Sequence, residues 1–338
     1  TTLFRSYKLK RNSKMEAIHL APIKQQLTER RERLIATNKS LQNSAHLFDL
    51  LKQVDSALER IDDGSYGVCE ICKGLIEDEI LKGNPLITVC LGDLNSHQQK
   101  ALELDLAFAS QIQRNLLPQN DLSINGWELN YQYNPAGPVS GDFCNVIKLE
   151  NDSILFVLGD VSGKGVAASL MMSHLHALVN SLIFFGLPLV ELVEKANRLF
   201  CESTMNTNYA TIVFGKANLN GEIEICNAGH NPPFLLSDGI VKPINATGIP
   251  VGLFCDTEYY SEKFLLKKND TLLLYTDGLT EALCDGIEYG EQRVKELLIK
   301  NGNQTTANII DLFLRDNKEY IGNSLPTDDL TIMAVRKK

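Results

Sequence analysis

From Trp127 to the end of the chain, short apolar runs are separated by Gly, Asn and Asp turns, and this rhythm constrains the fold more than any other feature. The runs cover residues 127–134, 143–149, 154–158, 209–217, 222–227, 233–236, 259–266, 271–275 and 330–335, and each reads as a strand. Helical periodicity interrupts them only in blocks, at 164–185, at 187–204 and at 291–301 with 307–317. Neighbouring strands with helices grouped between them predict an α+β domain, with helices layered over antiparallel sheets.

Four acidic segments sit at the edges of these runs: Gly141-Asp142-Phe143, Gly159-Asp160-Val161-Ser162-Gly163-Lys164-Gly165, Tyr275-Thr276-Asp277-Gly278 and Asp328-Asp329-Leu330-Thr331. A lone Asp at a strand end is usually a cap or turn residue. Four of them, each beside an apolar run, can instead converge on one rim of a sheet. Such a cluster raises the pKa values of its own members unless cations neutralise it. Hard divalent ions with oxygen ligands, Mg²⁺ or Mn²⁺, suit that task. Gly159 and Gly163 let the backbone turn around Asp160, so the Val161 carbonyl can also face a metal. Gly163-Lys164-Gly165 lacks the upstream Gly and following Ser/Thr of a P-loop, which excludes that reading.

In this order, the four segments and Ala228-Gly229-His230-Asn231-Pro232 resemble the PPM family of metal-dependent Ser/Thr protein phosphatases, in its bacterial RsbU/SpoIIE branch. The resemblance covers about residues 106–338, including the lead-in Gln111-Ile112-Gln113-Arg114-Asn115-Leu116-Leu117-Pro118. It implies a PPM-type α-β-β-α sandwich and a protein serine/threonine phosphatase using two Mn²⁺ or Mg²⁺ ions. Asp160 would bridge the ions, Asp142 and the Val161 carbonyl would complete one shell, and Asp277 and Asp328 would hold the other ion. A metal-bridged water would attack phosphorus. Asp329 is the ambiguous neighbour of Asp328. Ser162 stands where the larger eukaryotic branch has a His, so no general acid is assigned. Asn145 replaces a carboxylate common in the bacterial branch, which predicts weaker binding of one ion. His230 is expected to stabilise its turn rather than donate a proton. The implied substrate is a phosphorylated anti-sigma-factor antagonist.

The N-terminal third is different. Residues 24–38 and 45–61 are amphipathic and predict a helical hairpin that Gly64 ends. The stretch from Asp62 to Cys72, with Cys69-Glu70-Ile71-Cys72 and then Cys90, resembles a DksA/TraR-type zinc finger whose last Cys is replaced by Asp93. Cys69, Cys72, Cys90 and Asp93 could hold a structural Zn²⁺, with His97 as an alternative fourth ligand. The expected division is 1–98 for hairpin and finger, 99–120 for a linker helix, and 121–338 for the phosphatase domain. Leu102, Leu106, Ile112 and Leu116 form the linker's apolar stripe, and the resemblance implies a homodimer through it.

The chain has 338 residues and a net charge of −9, which argues against a nucleic-acid partner. No run of about 18 apolar residues appears, so no membrane span is expected. Residues 1–14 are polar and basic and lack the apolar core of a signal peptide. The eight Cys are scattered rather than framed, apart from the Cys69 region, which points to a reducing, cytoplasmic compartment. Two other functions compete with the phosphatase. One is a catalytically silent binding or regulatory protein, disfavoured by the intact Asp set. The other is a DksA-like transcription regulator. The hairpin is short and its tip has no Asp, so RNA polymerase is not an expected partner.

Overall fold

The structure, a computed structural model, describes residues 13–40, 45–76, 80–81, 84–90, 96–120, 122–150, 152–204, 208–322, 324 and 326–338. It divides into two compact units, Thr1–Glu103 and Leu104–Lys338.

In the first unit, helices α1 (Ser13–Ser40) and α2 (Ala45–Asp62) pack on each other. The ion pairs Lys24–Asp62 and Arg31–Asp55 run in opposite directions along the two helices, so the pair is antiparallel. Leu27, Val54 and Ala57 bury the contact, and the core continues into Tyr66, Cys69, Ile76 and Leu81. α1 starts well before residue 24 and passes through Pro22, because an interior proline costs a backbone hydrogen bond without always ending a helix. The hairpin tip at 41–44 and Asp93 lie outside the described residues, as does the side chain of His97.

Helix α3 (Ser96–Leu116) precedes the strands. Strands β1 (Leu122–Ile124), β2 (Trp127–Asn134), β7 (Phe234–Ser237), β8 (Ile240–Pro243), β10 (Thr271–Tyr275) and β13 (Leu330–Lys337) form a six-stranded sheet in the order β1-β2-β13-β10-β7-β8. Strands β3 (Asp142–Lys148), β4 (Ile154–Val161), β5 (Ala210–Ala217), β6 (Glu222–Ala228) and β9 (Glu262–Leu265) form a second sheet in that order. All pairings in both sheets are antiparallel. A small hairpin, β11 (Leu283–Cys284) with β12 (Ile287–Glu288), stands apart.

The period-2 alternation of strand side chains sorts the core into layers. On β4, Ile154, Phe156 and Leu158 point between the sheets, where they meet Leu272, Leu274, Met333 and Val335. Leu155 and Val157 point outward, onto helices α4 (Gly165–Ile183) and α5 (Leu189–Ser203). On the far side, Leu273, Ile332 and Ala334 face α6 (Gly290–Asn301) and α7 (Thr306–Ile321). The result is the α-β-β-α sandwich. α4 is long and apolar enough to cross a membrane, yet Ala168, Met172, Leu175 and Val179 on it are buried against the sheet, as in a core helix.

Three differences from expectation have physical causes. β9 is shorter than the apolar run 259–266, because Tyr259 leaves the ladder to fill the α5 core and press on Gly248. β8 and the β11–β12 hairpin are too short to carry a pattern. Cys201 and Cys255 pair in a disulfide joining α5 to the loop after Val251, and their separation of 54 residues leaves no local spacing signal.

Candidate active site

Strand register gathers the acidic segments. β3 opens on Asp142 directly opposite Asp160, near the end of β4. β10 ends at Tyr275, whose partner is Ile332 near the start of β13, so Asp277 and Asp328 fall together at one end of the other sheet. The two sheets meet through Asp142. Its Oδ2 accepts hydrogen bonds from Thr276 Oγ1 at 2.9 Å and Thr331 Oγ1 at 2.6 Å. Both donors belong to the six-stranded sheet or its immediate continuation.

A cavity of about 230 Å³ opens beside them, lined by Asp160, Asp277 and Asp328 together with Val161, Ser162, Lys164, His230 and Asn231. Burial and the neighbouring Asp277, Asp328 and Asp329 push the Asp160 carboxyl up to about 7. Burial, Asp328 and Glu281 push Asp277 up to about 6. Asp142 is fully buried and is raised well above the ordinary range, first by desolvation and then by Asp160. Its Oδ1 receives no donor. A buried carboxylate oxygen without a donor, facing a cluster of carboxylates that suppress one another's ionisation, fits hard cations with oxygen ligands. Among the described residues, Cys69, Cys72 and Cys90 are the set whose ligand atoms lie within 4.8 Å of one another; the acidic group is more open than that. An open carboxylate set suits Mg²⁺ or Mn²⁺, since Mg²⁺ retains several waters.

Two glycines make the close approach possible. A Cβ on Gly141 would lie 2.8 Å from the Val161 carbonyl oxygen and 3.4 Å from Asp160 Oδ1. A Cβ on Gly278 would sit 2.0 Å from the Asp329 carbonyl oxygen. The Gly in each acidic motif therefore leaves space beside its Asp.

The neighbours divide their tasks. Asp329 spends both oxygens on backbone donors, Ala136 N–H at 2.8 Å and Gly141 N–H at 3.0 Å, and so pins the loop that leads into Asp142. Asp328 lines the cavity instead, and Lys164 Nζ lies 2.7 Å from its Oδ2. His230 Nε2–H donates to the Tyr275 carbonyl at 3.1 Å, which leaves Nδ1 to accept from Thr211 Oγ1 at 2.7 Å. Burial pushes its pKa down to about 4, so the ring is neutral and links the sheets. Ser162 Oγ accepts from the Tyr209 N–H. Asn145 turns toward α4, where its amide meets Asn180 Oδ1 at 2.6 Å.

Thr276 and Thr331 stood in the quoted motifs without a role. Their signal was a β-branched hydroxyl inside an otherwise apolar strand end. Gln113, in the lead-in segment, is a further anchor with no sequence signal of its own. It is buried, donates to the Ser140 carbonyl at 2.9 Å and accepts from the Ser140 N–H at 3.1 Å, fixing the approach to Asp142.

In the N-terminal unit, Cys72 Sγ and Cys90 Sγ are 3.8 Å apart, and Cys69 Sγ and Cys72 Sγ each accept a backbone N–H at 3.3 Å, from Cys90 and Gly74. Three converging sulfurs with N–H donors aimed at them fit a soft or borderline cation such as Zn²⁺.

Comparison with known proteins agrees with this geometry. The family model for stage II sporulation protein E (SpoIIE) matches residues 150–338. Protein IcfG of Synechocystis is 30% identical over 264 residues, covering 69% of this chain and 41% of IcfG. Phosphoserine phosphatase RsbU of Bacillus subtilis is 25% identical over 284 residues, covering 80% of this chain and 83% of RsbU. The chain thus spans less than half of IcfG and most of RsbU. Among solved structures, the SiaA PP2C domain of Pseudomonas aeruginosa superposes with a TM-score of 0.64 at 21% identity, over 72% of this chain and 99% of that domain. The chain belongs to the SpoIIE family, with its unit Leu104–Lys338 folded as the PP2C-type domain of that family.

Proposed function

We propose that this chain is a metal-dependent protein serine/threonine phosphatase acting on a phosphorylated regulatory protein of the anti-sigma-factor antagonist type. The observation that carries the reading is the convergence of Asp160, Asp277 and Asp328 from two sheets on one cavity, with buried Asp142 paired opposite Asp160 in the strand ladder and its Oδ1 lacking a donor. The relative named phosphoserine phosphatase RsbU supports the activity. The substrate class rests on the RsbU/SpoIIE resemblance.

Asp142, Asp160, Asp277, Asp328 and the Val161 carbonyl would hold two Mn²⁺ or Mg²⁺ ions. When bound, such a pair supplies positive charge against phosphoryl oxygens and a water acidic enough to attack near neutral pH. Asp160 suits the shared position, because it stands opposite Asp142 in the strand ladder and feels the charges of Asp277 and Asp328. Thr276 and Thr331 fix Asp142 by its Oδ2, so its Oδ1 is the oxygen left to bind. His230 has both ring nitrogens engaged and Ser162 Oγ accepts from the Tyr209 N–H, so neither is assigned as the acid for the leaving serine oxygen.

Hydrolysis of p-nitrophenyl phosphate and of a phosphoserine peptide tests the reading, comparing the wild type with Asp160→Asn. Turnover that needs Mn²⁺ and disappears in the variant is expected. A wild type inert toward both substrates with Mn²⁺ present would refute it.

Two further assignments accompany this one. The domain boundaries are taken as 1–98, 99–120 and 121–338, with Zn²⁺ held by Cys69, Cys72 and Cys90 and a fourth ligand from Asp93 or His97. Elemental analysis should find one Zn per chain in the wild type and none in Cys72→Ser; a zinc-free wild type would overturn the assignment. The linker helix is taken as a homodimer contact, but by a different face from the one expected. Leu104, Phe108 and Ile112, each four residues apart, are 63%, 65% and 47% exposed, whereas Leu106 and Leu116 are partly covered. Light scattering of Phe108→Glu should report a monomer where the wild type is a dimer, and a monomeric wild type would exclude the contact.

A further inference from the structure

We propose that Lys164 is the side chain that contacts the phosphoryl oxygens of the substrate, an assignment that rests on the phosphatase reading above. Among the described residues lining the acidic cavity, Lys164 is the one Lys or Arg. His230, the other basic residue there, is neutral and has both ring nitrogens engaged.

Charge balance creates the need. Two divalent cations would offset the charges of Asp142, Asp160, Asp277 and Asp328, while Asp329 is already satisfied by two N–H groups. A phosphate monoester brings about two further negative charges near neutral pH. Among the described residues of the cavity wall, the Lys164 ammonium is the cation left to meet them.

Its placement is suited to that use. Lys164 lies between Gly163 (φ 98°) and Gly165 (φ 72°), and a Cβ on either glycine would touch nothing within 4 Å. The glycines therefore shape the turn without packing, and the turn carries a long flexible side chain to the cavity rim. Nζ reaches both Asp328 Oδ2 at 2.7 Å and the Thr327 carbonyl at 2.6 Å. A phosphoryl group bound beside Asp328 lies within a small side-chain movement of this ammonium. Stability does not explain the pair: the Lys164 and Asp328 side chains are 65% and 30% exposed, and exposed ion pairs contribute little. Lysine serves phosphate as a compact point charge.

The test titrates inorganic phosphate calorimetrically into the full chain with Mn²⁺, for the wild type, Lys164→Met and Lys164→Arg. Separate Mn²⁺ titrations of each protein accompany it. Loss of one charge-assisted contact should weaken phosphate binding about tenfold in Lys164→Met. Lys164→Arg should recover most of the loss. Mn²⁺ affinity should hold or tighten in Lys164→Met, since the lysine competes for Asp328. Unchanged phosphate affinity would overturn the proposal, as would a wild type that binds no phosphate. A parallel fall in Mn²⁺ affinity would also overturn it, because the lysine would then merely prop Asp328. If the wild type fails to hydrolyse p-nitrophenyl phosphate while the phosphate difference persists, the catalytic reading fails and the contact stands.

Discussion

Replacing Asp160 with Asn should make the metal-free protein more stable, not less, and the gain should depend on pH. The Asp160 carboxyl titrates at about 7 in the folded chain against an ordinary 3.8, because burial and its acidic neighbours oppose its charge. A group whose folded pKa is raised retains its proton after the unfolded chain has lost it. The unfolded state therefore binds fewer protons across that window, and stability falls as pH rises from about 4 to about 7. The full gap is worth about 4 kcal/mol at 1.36 kcal/mol per pH unit. Asp160 titrates together with Asp142, and its partners absorb part of the effect, so about 2–4 kcal/mol is the expected gain at pH 8. His230 is depressed to about 4, and its linkage has the opposite sign across part of this range. It is present in both proteins and cancels in their difference.

Urea denaturation in EDTA at several pH values between 4 and 8 measures this difference. The two proteins should be nearly equal at pH 4, and Asp160→Asn should be the more stable by pH 8. Mn²⁺ should then narrow the gap, and at about one thousand times the dissociation constant, where only the wild type gains about 4.1 kcal/mol of binding free energy, it should reverse the order. A variant as stable as the wild type or less stable, in EDTA at pH 8, would refute the account of mutually repelling buried carboxylates.

The adjacent Asp328 and Asp329 should separate cleanly. Asp329→Ala strips two backbone N–H groups of their acceptor, one of them on the part-buried Gly141, and should cost about 2–3 kcal/mol in denaturant unfolding with EDTA. Asp328→Asn should leave that stability intact or raise it, while lowering Mn²⁺ affinity in calorimetry; the reverse pattern would exchange their roles. Gly278→Ala forces a Cβ to within 2.0 Å of the Asp329 carbonyl, so expression of folded protein should collapse, and a native-like melting curve would show that this junction can open.

Much of this architecture was legible because a sandwich with helices on both faces buries its strands on both sides. β4 is almost wholly buried, and its sequence accordingly reads as one continuous apolar run ending at an acid. The carboxylates were visible for the same reason: each interrupts or closes such a run. Relations perpendicular to the chain were not visible. Nothing in a one-dimensional pattern says that Thr276 and Thr331 hand their hydroxyls to Asp142, from 134 and 189 residues away. Nor does helical periodicity tell which apolar face of α3 is covered. Leu102, Leu106, Ile112 and Leu116 satisfied a stripe, yet Ile112 shares its exposure with Leu104 and Phe108. The Asp328-Asp329 pair was ambiguous because two adjacent carboxylates just before β13 offer the same chemistry, and only the loop at 135–141, which engages Asp329, decides which one is left for the cavity.

The hydrogen bonds of Asp142 and His230 explain how a self-repelling site stays assembled. The sandwich core between Phe156, Leu158, Leu272 and Met333 provides most of the attraction between the sheets, but it is non-directional and would tolerate sliding at the open end. Directional bonds fix that end. Thr276 and Thr331 reach from one sheet to Asp142 on the other, and His230 spans from Thr211 to the Tyr275 carbonyl. The bonds of Asp142 and the His230–Tyr275 bond are buried, so breaking them would strand polar groups. Asp142 consequently has two tasks divided between its oxygens: Oδ2 joins the sheets, and Oδ1 is left for a cation. Asp142→Asn can retain the first task by presenting its amide oxygen to the threonines, which turns the amide nitrogen toward the position a cation would take. The sheets would then remain in register around a site that repels the ion, and loss of metal binding in a folded protein is the signature that distinguishes this division of labour from simple collapse of the joint.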